Sequence, residues 1–468
     1  MFKHTSWFSS LCLLLIFFST LTTEWTQLQG TAIFAACLLA LFTCIEFKAL
    51  DLTSKIIAAL AFMLTATLLA MGKVSMADLG AMCASVSFFA FFLIALSLLK
   101  EAALTSQSVN LTGQALLQQQ AVKRYALLTF ASHLLGILMS MGAINLLGTM
   151  IHRSLQGNKT TIDPRINSAR QRRMMQATIR GFCSIPLWAP TTVTITLLVT
   201  TIPNLAWWDI MPYGLYLTAI ILLFGVLLDY IQAPTYLRHL VPSMTNKLAD
   251  LKVCYPILLV VLGLVVVSAA LMLTSPLRAI SAVLMSAPIV SLIWIIAQYR
   301  RQGDIFTALT LTKQRFTQDI FFKLSLQRNE IVFFASSVLI GRLLLAVLDV
   351  DWVAQQLAYL NITPAVLLIL ASWFIFIGSM LYINTMISVT LVAGALAQLP
   401  DLQTMPVTIA LVMMVTWTAV IGSAPSATSV RIAAKTVEVS PLQLGIKWNG
   451  LYSILVLVIL DCYLLLFM

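Results

Sequence analysis

Apolar stretches of about 20 residues, each long enough to cross the hydrocarbon core of a bilayer as a helix, recur from end to end of this 468-residue chain. The polar breaks between them are short and leave no room for a soluble domain. With 60% hydrophobic and 10% charged residues, a water-soluble fold of this size would expose more apolar surface than water tolerates. Lipid offers the backbone no hydrogen bonds, so such spans must be helical. The expected fold is an all-α polytopic membrane protein, with membrane lipid as its first partner.

A net charge of +11 would suggest nucleic acid for a soluble chain. Here the Lys and Arg residues sit in the connections, where the positive-inside rule accounts for them, and no nucleic-acid partner is expected. The cysteines, Cys12, Cys37, Cys44, Cys83, Cys183, Cys254 and Cys462, stand singly without metal-ligand or redox spacing and read as small apolar fillers. The apolar run 11–21 follows Lys3 and His4 but lacks a small-residue cleavage site before Glu24, so it reads as a span and not a signal peptide. No H-E-x-x-H, Gly-rich nucleotide loop or Ser/His/Asp arrangement is present, so no catalytic residues are assigned and the chain is not expected to be an enzyme.

Placing the basic connections in the cytoplasm gives a consistent path with the N-terminus inside. Spans near 7–22, 31–46, 55–72 and 82–99 return the chain inside, where the polar, Gln-rich stretch 100–124 suits an interfacial helix. The apolar piece 125–150 has Lys123 and Arg124 before it and Arg153, Lys159, Arg165, Arg170, Arg172, Arg173 and Arg180 after it. Both ends therefore belong inside, which describes a re-entrant hairpin; the alternative is a single long, tilted span, which would reverse the topology downstream. A broken span at 181–200 goes out, and 212–231 returns to Arg238, Lys247 and Lys252. Spans near 254–273 and 279–298 lead to a basic amphipathic stretch from Arg300 to Arg328. The span 330–348 then exits to Asp349 and Asp351. The piece 363–398 has no flanking Lys or Arg and reads as a hairpin entered from outside. A second broken span, 405–431, comes in, and 448–468 leaves the C-terminus outside. That makes eleven crossings and two hairpins in the cytoplasmic (inner) membrane. The expected units are N-terminal scaffold helices (1–81), a first repeat (82–231), linking helices (232–329) and a second repeat (330–468).

Paired motifs support the repeat. Ser140-Met-Gly-Ala-Ile-Asn145 in the first hairpin matches Ser379-Met-Leu-Tyr-Ile-Asn384 in the second. Each is followed, some 40 to 45 residues later, by an Ala-Pro pair: Ala189-Pro190-Thr191-Thr192 and Ala424-Pro425-Ser426-Ala427-Thr428. The opposed charge environments of the two hairpins predict inverted topology, and paired discontinuous helices at the midplane point to a transporter binding site. Proline removes a backbone donor and crowds the preceding turn, so each Ala-Pro should interrupt its helix and leave free amides and carbonyls.

At these motifs the sequence resembles the ion transporter superfamily, which includes divalent anion/sodium symporters, citrate carriers, arsenite permeases and the large membrane subunits of TRAP transporters. The resemblance covers most of 82–468. It implies an elevator mechanism and commonly a homodimer, with 100–124 and 349–361 as connecting arms. In the divalent anion symporters each hairpin tip carries Ser-Asn-Thr. Here Asn145, Asn384 and Thr385 match, while isoleucine replaces the serine in both tips.

The expected function is secondary active transport of a small anion, organic or dicarboxylate-like, coupled to Na+ or H+, with no other cofactor. The candidate binding residues are Ser140, Asn145, Pro190, Thr191, Thr192, Ser379, Asn384, Thr385, Pro425, Ser426 and Thr428, with a sodium position near Asn145 and Asn384. A cation/proton antiporter using Asp229, Asp349 or Asp461 is the alternative, and a membrane enzyme or scaffold a weaker one. His133 is a candidate for proton coupling or simple packing. Arg342, Arg431 and Lys435 read as anchors or structural cations.

Overall fold

The computed structural model describes residues 2–117, 121–156, 163–232, 255–301 and 303–468, and among them the protein contains helices and no strand. Lys159, Arg238, Lys247, Lys252 and Cys254 lie outside the described residues. The chain opens with α1 (Phe2–Thr26), α2 (Gln29–Glu46), α3 (Leu52–Ala70) and α4 (Met76–Leu104), followed by the short α5 (Gln107–Leu117). The first helical hairpin is α6 (Ala121–Met139) and α7 (Met141–Gln156); α8 (Pro164–Cys183) and α9 (Val193–Thr201) flank an interruption. Then come α10 (Trp207–Gln232), α11 (Tyr255–Thr274), α12 (Ala279–Arg300), α13 (Ile305–Arg315), α14 (Phe321–Leu324), α15 (Arg328–Val347) and α16 (Val350–Tyr359). The second hairpin is α17 (Pro364–Met380) and α18 (Thr385–Leu396), the second interrupted pair is α19 (Pro406–Ser423) and α20 (Thr428–Thr436), and α21 (Gly450–Phe467) ends the chain.

Local chemistry starts these helices where the sequence changes character. Asp51 accepts the amide of Ser54 at the head of α3, and Ser75 with Asp78 forms a capping box on α4. Proline occupies the first turn of α8, α17 and α19, where its missing N–H is no loss. Among the described residues ten helical segments are long and apolar enough to cross a membrane, and they coincide with ten of the eleven expected spans. The chain is a multi-pass, all-α membrane protein. Between α16 and α17 the path bends by 117°, so α16 does not extend the hairpin.

The eleventh expected span, 181–200, is not a continuous helix. The stretch read from sequence as a basic connection up to Arg180 is instead α8, which starts at Pro164. Its arginines depress hydropathy, yet every residue from Met174 to Cys183 is buried. Protein, not lipid, surrounds this half of α8.

Two packed cores organise the molecule. One gathers residues of α1–α4, α9, α10, α15, α17, α18, α19 and α21; the other gathers α5–α8, α11 and α20; α4 and α12 contribute to both. Both interrupted pairs pass from one core to the other: α8 lies in the second and α9 in the first, while α19 lies in the first and α20 in the second. As a result α7 packs on α20 and α18 packs on α9. Small residues permit these approaches: a Cβ on Gly148 of α7 would lie 2.3 Å from Thr436 Oγ1, and one on Gly394 of α18 would lie 3.3 Å from Thr201 Cγ2.

Candidate functional site

Both interruptions sit where the two cores meet. The first spans 184–192, with a single 3-10 turn at Ile185–Leu187. Its length has a cause beyond Pro190: Pro186 cannot continue α8, because its ring clashes with the carbonyl four residues back and it brings no donor. Two prolines four residues apart keep this segment out of α-helix. The second interruption, 424–427, contains Pro425 alone and is shorter. Ala424 before it is extended (φ −68°, ψ 126°), as a residue preceding proline prefers.

Neighbouring helices press directly on the two interruptions. A Cβ on Gly214 of α10 would stand 1.8 Å from the Leu187 carbonyl oxygen, and one on Gly445 would stand 2.2 Å from that of Ser423. One on Gly422 would meet Cys183 Sγ at 3.4 Å, so the ends of α8 and α19 are in contact.

The first interruption is anchored by side chains. His133 of α6 places Nδ1 2.8 Å from Ser184 Oγ, and its Nε2 accepts from Trp188 Nε1 at 3.0 Å. Acceptance at Nε2 puts the proton of a neutral ring on Nδ1. Trp207 Nε1 donates to the Trp188 carbonyl at 2.8 Å. His133 is therefore a buried tie between hairpin and broken helix with both nitrogens engaged. Thr192 donates its hydroxyl to the Ala189 carbonyl at 2.8 Å. Thr191 is 8% exposed, and its Oγ1 is buried without a partner among the described residues.

Both helices leaving the interruptions start without a side-chain cap, α9 behind Thr192 and α20 behind Ala427. Among the described residues no acceptor meets the amides of Val193, Thr194 and Ile195, or those of Thr428, Ser429 and Val430. Such N-termini carry partial positive charge and favour anions. Thr428 is exposed at the head of α20.

The hairpin tips differ. In the first, one left-handed residue, Ser140 (φ +49°), makes the whole turn. In the second the turn is 381–384, with Tyr382 left-handed (φ +66°). Asn384 caps α18 by accepting from Met386 and Ile387, and donates to Ser337 Oγ at 2.8 Å. Ser379 and Thr385 share a hydroxyl contact of 2.8 Å, and Ser426 Oγ donates to the Ser379 carbonyl at 2.7 Å. Thus Ser379, Asn384, Thr385, Pro425 and Ser426 come together in the second half. Asn145 does not match Asn384: it lies beyond the tip within α7, exposed; its carbonyl accepts from the Thr149 hydroxyl, and its own side chain makes no hydrogen bond among the described residues. The expected equivalence of the two asparagines is corrected accordingly, because the first turn closes at Ser140 and leaves Asn145 inside a helix.

Of the other candidates, Asp229 is held bidentately by Arg173 (2.9 and 2.7 Å), Asp461 accepts from Trp373 Nε1 at 2.8 Å, and Arg342 donates to the Thr200 carbonyl at the end of α9. Sequence reasoning missed Pro186 and Arg180. Pro186 was visible as a second proline four residues before Pro190, and Arg180 as the one charge in 174–187.

No family model matches the chain, and no curated protein matches its sequence. Among solved structures it is similar to the Alcanivorax borkumensis YdaH transporter, at 15% identity and a TM-score of 0.43, over 80% of this chain and 84% of that one. The resemblance to the ion transporter superfamily rests on the paired motifs alone.

Proposed function

We propose that the protein is a secondary active transporter of a small carboxylate anion, coupled to Na+ or H+, with its substrate site at the two interruptions. The observation that carries this reading is the crossing of both broken helices between two cores. It brings two uncapped helix N-termini and the unpartnered Thr191 hydroxyl to that junction. Amide donors without acceptors, inside a membrane protein, suit an anionic ligand. The grouping of Ser379, Asn384, Thr385 and Ser426 adds hydroxyl and amide oxygens of the kind that ligate sodium. An elevator-type movement, inverted repeats and a homodimer in the inner membrane belong to the same proposal.

Thermal stabilisation of the purified protein tests it, across small carboxylates with sodium or potassium as sole cation at two pH values. A carboxylate-dependent rise that is lost in Thr191→Val and weakened in Asn384→Ala supports it. No response to any anion, with a shift from sodium or pH alone, overturns it in favour of the antiporter. That second reading draws on Asp461, whose Oδ1 is buried and unpartnered.

A further inference from the structure

Arg180 lies in the last turn of α8 and is 2% exposed. Its Nε donates to Asn449 Oδ1 at 3.2 Å, and its Nη1 donates to Tyr125 Oη at 3.0 Å and to the Gly225 carbonyl at 3.3 Å. The guanidinium carbon stands 4.5 Å from the ring centre of Tyr452. Every one of these partners is neutral. Among the described residues no carboxylate lies within ion-pair distance of Arg180, and Asp229 is committed through both oxygens to Arg173.

A second deficit adjoins the first. Asn449 is 1% exposed, and among the described residues its Nδ2 is buried without a partner. One contacting pair of side chains thus presents an unmet donor and an uncompensated charge in a low-dielectric interior. A buried cation is expensive unless paired, and a buried donor unless bonded. Tyr125, Gly225 and Tyr452 explain how the guanidinium is held, but they supply neither the missing negative charge nor an acceptor for Asn449. One small anion satisfies both.

We propose that Arg180 and Asn449 form a buried anion-binding station, separate from the interruptions, for a monovalent group of carboxylate or chloride size.

The test is the melting temperature of the purified full-length protein at constant ionic strength, with chloride or acetate replacing a large sulfonate. Wild type is expected to melt several degrees higher in either anion. A rise with acetate alone still supports the station and marks it as carboxylate-selective; a rise with both marks a site open to free halide. Asn449→Asp conserves volume and supplies an internal carboxylate, so it is expected to melt higher than wild type in sulfonate and to lose the anion response. Thr191→Val is expected to retain the chloride response, which separates this station from the carboxylate site at the interruptions. No anion response in wild type, or an unchanged response in Asn449→Asp, overturns the proposal. Where chloride raises the melting temperature, bromide in a crystal of the wild-type protein gives an independent readout: an anomalous peak beside Arg180 supports the station, and bromide bound only elsewhere overturns it.

Discussion

Asn384 and Ser337 are joined by a hydrogen bond of 2.8 Å from the amide Nδ2 to the hydroxyl, while the amide oxygen of the same asparagine caps α18. One side chain thus ends the second hairpin turn and ties it to α15. Asn384→Ala is expected to lose about 1 kcal/mol from the cap and about 1 kcal/mol from the Ser337 bond. Asn384→Asp keeps the cap acceptor and should recover about half of that loss. Melting curves of the two variants check this; equal destabilisation would show that capping contributes nothing.

The Ser426 hydroxyl ties the second interruption to the hairpin through the Ser379 carbonyl. Removing it in Ser426→Ala should cost about 1 kcal/mol and raise local opening about fivefold. Hydrogen exchange at the amides of 381–384 is the measurement, and unchanged exchange there would contradict the tie.

Gly214 and Gly445 admit the carbonyl oxygens of Leu187 and Ser423 where a methyl group has no space. Gly214→Ala and Gly445→Ala are each expected to destabilise by about 2 kcal/mol or more, since backbone on both sides must move. Gly30, in the first turn of α2, faces open space, and Gly30→Ala should be neutral or stabilising by about 0.5 kcal/mol. Thermal melts of the three variants side by side decide the point.

Arg173 and Asp229 form a bidentate pair in which the carboxylate side chain is 7% exposed. Arg173→Gln leaves that carboxylate unpaired, so the single variant should lose more stability than a non-interacting pair would allow. A double-mutant cycle with Asp229→Asn is expected to give a coupling of about 1–3 kcal/mol. A coupling near zero would mean that the pair is solvated.

Spans such as 255–274 and 279–300 were legible because hydropathy alone sets them, and the interruptions were legible from matched Ala-Pro pairs at matched spacing. What stayed hidden was set by tertiary burial. Arginines at 165, 170, 172, 173 and 180 make α8 look like a cytoplasmic connection, although packing against α6 and α10 encloses its second half. Similarly, Ser140-x-x-x-x-Asn145 and Ser379-x-x-x-x-Asn384 are alike as letters. One turn closes on a single left-handed residue and the other takes four positions, so only the second asparagine becomes a cap. Turn length depends on what packs behind it, and the motif does not carry that information.

The exchange of α9 and α20 between cores has a mechanical meaning. Two short interruptions run in opposite senses across the junction that the continuous helices α4 and α12 also bridge, so the proposed movement of one core on the other would bend the chain most readily at 184–192 and 424–427. In the proposed transporter the residues whose amides would meet a ligand border those that would flex, so filling the site and resisting shear would be a single event.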